Sequence, residues 1–445
     1  MSPVSGSTRA EPTRLGRRRV LHLAALAGVA AGLPGCGRGF GGKGVDDGRT
    51  EVTMAWWGDA QRAALTREAL DGFEAANPGI RVRTEYQDSS PYKDKLAARM
   101  AAGDPPDLMA MRFDSLREYA DRGSLLDLAP RSADLDLTAL APQSRALGQV
   151  GDRTFGVPSG LNTIGFIVDQ ALTDGYGVPI PDGDTWSWEQ LGTFARAVTK
   201  ASGGKVYGTS LELWTVANLL VFARQRGEDF FSPDGRPDVS EATVTAWFQL
   251  GEDLRAQGGI PPAGFIDQNN GTSPAQSYLA RKAIAAQIIP TNNLLGYNQA
   301  CGGHLQLLRI PGETQGARRG QSIDTPALWS IAATSKHPRE TLKLLNFLTN
   351  EAEPARLSAA TRGVPPNRAI AERIAPTLEP DNRRSSEFLS KLQNEKLPPS
   401  YPYPVGASKL TNILKTISTE VEFRRTTPAE AGRQFLGEAR KALGA

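Results

Sequence analysis

Glu51-Val-Thr-Met-Ala-Trp-Trp57, followed by Gly58-Asp59, opens the stretch that decides the fold. It is rich in β-formers and free of breakers, so it predicts a strand that ends at Gly58. Over 60–76, Ala64, Leu65, Ala69, Phe73 and Ala76 recur at three- and four-residue spacing, which predicts a helix stopped by Asn77-Pro78-Gly79. Ile80, Val82, Thr84 and Tyr86 then alternate with Arg81, Arg83 and Glu85, as in a strand with one wet face. A second helix is predicted over Tyr92–Ala102, and after Asp104-Pro105-Pro106-Asp107 the apolar Leu108-Met-Ala-Met111 predicts a third strand. Strand, helix, strand, helix, strand in about sixty residues is a βαβαβ unit, which forms a parallel sheet with right-handed crossovers. Ligands of open α/β sheets bind beyond the carboxyl ends of the strands. Those ends are Trp57-Gly58-Asp59, Gln87-Asp88-Ser89 and Arg112-Phe113-Asp114.

Further along, Thr154–Pro158 is extended and Ile164–Val168 is a buried-strand run. Ser187-Trp-Glu-Gln190 is a capping box opening a helix to about Thr199, and Thr427-Pro428-Ala429-Glu430 opens the last helix in the same way. Leu328–Ala332 predicts a strand, and 338–350 a helix with Leu342, Leu345 and Leu348 on one side.

Upstream of this body, residues 1–35 have the form of an export signal. Arg14, Arg17, Arg18 and Arg19 precede an apolar run from Val20 to about Leu33. That run is shorter than the ~20 residues a membrane span needs. Basic flank, short apolar core and small-residue end make a cleavable signal, and Gly16-Arg17-Arg18-Arg19-Val20-Leu21 resembles the twin-arginine export motif. Leu33-Pro34-Gly35-Cys36 resembles a bacterial lipobox, which makes Cys36 the lipidated N-terminus of the mature chain. Residues 36–48, with Gly39, Gly41, Gly42 and Gly44, then form a flexible tether. Two acyl chains hold a protein stably on a bilayer without spanning it. The expected location is therefore the extracytoplasmic face of a bacterial cell membrane.

The leader carries five basic residues and one acidic residue, so it supplies +4 to a chain whose net charge is +3 and leaves the mature part at −1. The basic character belongs to the signal, and a nucleic-acid partner is not expected. Cys301 is the only other cysteine, so the mature chain has no intramolecular disulfide to form. Three histidines without HxxH, HExxH or CxxC spacing point to no metal site, and no Gly-Lys-Ser/Thr loop or GxSxG elbow suggests a cofactor or a serine nucleophile. About 400 residues suit two lobes better than one core.

Several segments resemble one family, the extracytoplasmic solute-binding proteins of ABC importers that include maltose-binding protein. Val52–Gly58 is similar to its first strand, and Phe73-Glu-Ala-Ala-Asn-Pro-Gly-Ile-Arg-Val to its first helix–strand junction. Gly103-Asp-Pro-Pro-Asp-Leu-Met resembles the entry to its third strand, and Phe155-Gly-Val-Pro-Ser-Gly-Leu-Asn-Thr-Ile-Gly-Phe its first interdomain crossing. Trp329-Ser-Ile-Ala-Ala-Thr-Ser-Lys-His-Pro resembles its return strand and next helix, and Arg362-Gly-Val-Pro-Pro-Asn its third crossing. The chain departs at Ile167-Val168-Asp169, where the family commonly has Tyr-Tyr-Asn.

The resemblance implies an α/β, periplasmic-binding-protein-like fold of type II, with discontinuous lobes joined by three crossing segments. The N-terminal lobe is expected at 49–157 plus 325–361 and the C-terminal lobe at 158–324 plus 362–445. Val157-Pro158 and Gly363-Val364-Pro365 fit hinges, and they fit ordinary turns equally well. The implied function is a monomeric, non-enzymatic receptor that binds a mono- or oligosaccharide between the lobes and delivers it to ABC permease subunits. Other readings stay open: a glycerophosphodiester, polyamine or peptide as solute, or a glycan-active enzyme using two carboxylates.

Sugar recognition calls for flat aromatic platforms and planar polar side chains. The expected ligand-binding residues are Trp57, Gly58, Asp59, Gln87, Arg112, Asp114, Asn162, Trp214, Asn292, Trp329 and Arg362. Of the two tryptophans ending the first strand, Trp56 is assigned to the core and Trp57 to the cleft. Arg112 and Asp114 also fit an ordinary surface pair. Tyr401-Pro-Tyr403-Pro fits loop packing, with an aromatic wall as the alternative. Replacing Trp57 or Trp329 by alanine is expected to weaken binding more than it lowers Tm.

Overall fold

The computed structural model describes residues 48–232, 236–266, 273–395 and 397–444. The expected signal, lipidated Cys36 and nearly all of the tether lie outside them. Ten strands follow one another: β1 Thr50–Trp57, β2 Ile80–Gln87, β3 Leu108–Met111, β4 Gln149–Val150, β5 Arg153–Thr154, β6 Val157–Pro158, β7 Ile164–Asp169, β8 Ala286–Pro290, β9 Leu305–Leu308 and β10 Leu328–Ile331. The first sheet has the order β2-β1-β3-β10-β6. Its β1, β2 and β3 are parallel, as the βαβαβ reading requires, and β10 and β6 join antiparallel. The second sheet, β8-β7-β9, is antiparallel throughout. The chain is thus α/β, and β4 and β5 pair apart from both sheets as a two-stranded ribbon.

Local signals explain the first sheet. The helix Ala60–Ala76 starts where the Asp59 carboxylate accepts the Arg62 N–H at 2.8 Å, and it ends where the Asn77 N–H returns to the Phe73 carbonyl at 2.9 Å. Leu70 and Phe73 of this helix are buried with Val52, Met54 and Trp56 of β1. The next helix runs over Ser89–Ala101 and so begins three residues ahead of the expected Tyr92. Pro91 falls in its first turn, where a missing N–H has no intrahelical partner to lose. Both expected capping boxes are present, Ser187 with Gln190 and Thr427 with Glu430. A second core gathers Phe166 of β7, Trp186, Trp247 and Phe435, the last two on the helices Glu241–Ala256 and Pro428–Leu443.

The segments that run between the sheets are laced to one another by main-chain hydrogen bonds. Leu161 and Val364 exchange both bonds, at 2.6 and 2.9 Å, and Asn162 and Asp324 do the same at 2.9 and 2.8 Å. Thr325 Oγ1 adds a bond to the Gly160 carbonyl at 2.8 Å. The approach is so close that a Cβ at Gly160 would lie 2.1 Å from the Arg362 carbonyl oxygen, and Gly363 has a φ of +90°. Val157-Pro158 is β6 itself, paired with β10, so the strand-free span between the sheets is 159–163. The helix Pro380–Gln393 touches both sides. Its Leu389 and Leu392 enter the first core, while the Ser385 hydroxyl donates to the Thr291 carbonyl just after β8. Among the described residues, no helix is long and apolar enough to cross a membrane.

Candidate functional site

Two cavities lie where the loop after β3 faces the second core. The inner one, of about 290 Å³, is lined by Arg112, Phe113 and Asp114 beyond β3, by Thr215 before the helix Val216–Gln225, and by Asp324 and Tyr403. The outer one, of about 530 Å³, is lined by Arg117, Arg224, Phe231, Tyr401 and, again, Tyr403. Tyr403 is the shared wall. Its ring meets Phe113 edge-on at 5.3 Å on one side and Phe231 at 5.0 Å on the other. Tyr401, two residues earlier, stands 58% exposed at the outer cavity. Aromatic faces and fixed polar groups around a concave space are the usual make-up of a small-molecule site.

The charges are unevenly satisfied. Arg112 grips Asp114 bidentately, Nε to Oδ1 at 3.1 Å and Nη2 to Oδ2 at 2.9 Å. Arg224, buried at the border of the outer cavity, donates to Asp229 at 3.1 Å and to the Pro399 carbonyl at 3.1 Å. Asp324 has no ion pair among the described residues, and its Oδ1 accepts only the Thr325 N–H at 2.7 Å. Desolvation pushes its carboxyl up to about 6, against the opposing pull of that N–H and of Arg224. Three residues ahead of the cavity's Thr215, burial alone pushes Glu212 up to about 7. Burial likewise raises the Tyr403 phenol.

Of the residues expected from sequence, Arg112 and Asp114 line the inner cavity, and there they form the pair that was their alternative reading. Trp214 is half-buried immediately before the cavity's Thr215. Trp57 is half-buried as well, with Trp56 1% exposed behind it, so the inward–outward alternation holds. The Trp57 ring leans on Tyr92 at 5.5 Å. Asp59 is the exposed cap of the first helix, and Gly58 donates its N–H to the Gln87 carbonyl at 3.0 Å, closing the ends of β1 and β2. None of these four strand-end residues lines either cavity.

Trp329, expected at the cleft, is only 4% exposed and packs within the first core. Arg362, 3% exposed, lies over it with its guanidinium carbon 4.7 Å from the ring centre. Asn162 and Asn292 are buried against each other, amide to amide at 2.7 Å, beside the strand-free span 159–163. The residues that sequence missed at the cavities are Asp324, Arg224 and Phe231; Tyr401 and Tyr403 were assigned there to loop packing. The tandem Tyr-Pro repeat was the available signal, because proline stiffens the backbone that presents each ring. No group of three or more His, Cys, Asp or Glu side chains suited to a metal ion occurs among the described residues.

The described residues thus form three sheets and two main cores, with a cavity beyond the carboxyl end of β3. Residues 57–353 match the family described as bacterial extracellular solute-binding protein, and the chain belongs to that family, the solute-binding receptors of ABC transporters. It is 23% identical over 420 residues to a protein of Streptomyces antibioticus named "Uncharacterized lipoprotein in oleD 5'region", covering 87% of this chain and 89% of that one. Among solved structures it resembles a periplasmic oligogalacturonide binding protein from Yersinia enterocolitica in complex with saturated digalacturonic acid. That match has a TM-score of 0.76 and 18% identity, over 89% of this chain and 100% of that one. It also resembles an ABC substrate-binding protein from Listeria monocytogenes in complex with cycloalternan, with a TM-score of 0.74 and 21% identity, over 89% of this chain and 99% of that one.

Proposed function

We propose that this protein is a lipid-anchored extracytoplasmic receptor that captures a carbohydrate in the paired cavities and hands it to an ABC permease. The observation that carries the reading is Tyr403 as a common wall of two cavities, with Tyr401 and Phe231 beside it and Arg112, Asp114 and Asp324 around it. Aromatic faces suit the apolar side of a sugar ring, and carboxylates and guanidinium groups suit its hydroxyls. The two related structures named above hold different carbohydrates, which supports the class of solute without choosing a member.

In this reading the sheets belong to two lobes, about 49–157 plus 325–361 and 158–324 plus 362–445, which close on the solute by bending at the laced segments around 159–163, 324 and 363. Binding favours the closed arrangement because only there do both walls touch the solute. The receptor carries out no chemistry, acts as a monomer, and is held at the cell membrane through acylated Cys36 after removal of residues 1–35. Trp57, Trp214 and Gln87 line neither cavity and, in this reading, join the site only on closure.

A thermal-shift panel tests the solute. A ligand of the folded state raises Tm by mass action, so an oligosaccharide is expected to give a concentration-dependent rise. A rise with glycerophosphodiesters or peptides and none with any sugar would overturn the carbohydrate assignment. Release of the Cys36→Ala protein from the membrane fraction into the medium is the expected sign of lipid anchoring.

A further inference from the structure

We propose that the solute carries a cationic nitrogen and that Asp324 is the group that holds it, so that the receptor selects an amine-bearing carbohydrate. The inference rests on the carbohydrate reading and adds the charge of the ligand to it.

The first ground is an imbalance of charge in the inner cavity. Three charged side chains line it: Arg112, Asp114 and Asp324. Arg112 and Asp114 neutralise each other through two parallel hydrogen bonds, leaving the Asp324 carboxylate without a counter-ion among the described residues. The other cation within its electrostatic reach, Arg224, is already committed to Asp229 and to the Pro399 carbonyl. A carboxylate removed from water and left unpaired is costly, and the cost falls when a cation takes up position beside it. Desolvation already holds this carboxyl well above the usual range of aspartate.

The second ground is the ring system. Phe113 and Tyr403 line the same cavity as Asp324, and aromatic faces attract a cation as well as a sugar ring. A hydroxyl would satisfy the lone pairs of Asp324, but it would leave the net charge and gain little from the rings. An ammonium group answers both. The third ground is position. The Asp324 main chain is locked to Asn162 by two hydrogen bonds in the segment between the sheets, so a ligand held by its side chain pulls directly on the place where the lobes bend.

The titratable groups that interact with the Asp324 carboxylate are Arg224 from the helix Val216–Gln225 and Tyr403 from the C-terminal segment, and Arg112 with Asp114 from the end of β3 line the same cavity. Of the charged groups among them, Asp324 is the one without an ion pair among the described residues, so it can accept a cation without breaking such a pair.

Calorimetric titration of the purified protein with matched probes tests the inference. The amine-bearing probes are the β-1,4 glucosamine trimer and an aminoglycoside; the neutral ones are cellotriose and maltotriose; spermidine is the amine without a sugar. At least tenfold tighter binding of an amine-bearing sugar than of its neutral counterpart is expected. Asp324→Asn should bring the two within about twofold while the protein keeps its circular dichroism and a cooperative melt. Asp324→Ser serves as the second variant should the first not fold. Equal binding of neutral and amine-bearing sugars, a preference that survives both substitutions, or silence of every amine-bearing probe would overturn the inference. Neutral sugars binding alone would do so while leaving the carbohydrate reading intact. Spermidine binding that depends on Asp324, with no sugar bound, would keep the cation site and remove the sugar.

Discussion

Two assemblies of arginine and aromatic side chains are built from the first sheet and its flanking segments, and they are made in opposite ways. In one, Arg362 lies over Trp329 and makes a single hydrogen bond, to Thr66 Oγ1 at 3.4 Å, with no ion pair among the described residues. Trp329 is a core residue, and Arg362 is buried beside it. In the other, Arg112, Phe113, Asp114, Asp324 and Tyr403 surround about 290 Å³ of space. The residue types are nearly the same. What separates a packed support from a binding wall is whether a void remains between the side chains, and a list of residue types does not contain that information.

The largest effect separates the two assemblies most sharply. Trp329→Ala is expected to cost ~3–5 kcal/mol of stability, as for other buried aromatics, read from denaturant unfolding. Affinity in the fraction that remains folded should be near that of the parent. This reverses the sequence-based expectation for Trp329, and a large loss of affinity with little loss of stability would restore it. Tyr401→Ala should behave in the opposite way. The side chain is largely exposed and borders the outer cavity, so its removal should weaken solute binding about tenfold, or ~1.4 kcal/mol, and barely move Tm. Arg362→Met should change stability by no more than ~1 kcal/mol, since an apolar side chain of similar volume removes a buried charge that has no carboxylate to lose. A loss of several kcal/mol would mean that the stacking on Trp329 outweighs the desolvation of the guanidinium.

The same contrast explains what could be read from the chain. The first sheet was legible because β1, β2 and β3 with their two helices are contiguous, and each boundary has a local cause such as Asp59, Asn77 or Pro91. In the second sheet, β7 pairs with β8 and β9, which lie more than a hundred residues further on, so nothing local announces the pairing. Arg112 and Asp114 line a cavity, and the strand-end rule points at their loop after β3. Trp329 lies in the first core, and its position in the strand does not by itself say whether the face it points to is covered by the core or open to a cavity. Asp324 escaped notice, and Tyr403 has an aromatic wall only as its alternative reading, because they reach the cavity from a segment between the sheets and from the C-terminal region, which only the assembled fold brings beside β3.

A further effect concerns pH, and through Asp324 it bears on the open assembly. Asp324 and Glu212 both have carboxyls raised by desolvation, to about 6 and about 7. In the unfolded chain both titrate near the ordinary values of 3.8 and 4.5. Between those limits the folded state binds more protons than the unfolded one, so stability falls as pH rises. The contribution is fully present below about pH 4 and fully lost above about pH 7. Tm measured without solute should therefore decline across this window, and the Asp324→Asn, Glu212→Gln double variant should decline less. If Asp324 holds a cationic nitrogen, saturation with such a solute should flatten the Asp324 share of the decline even in the parent protein, because the bound cation stabilises the ionised carboxylate. A neutral solute should leave that share in place, and an unchanged slope with an amine-bearing solute would place the cation elsewhere in the cleft.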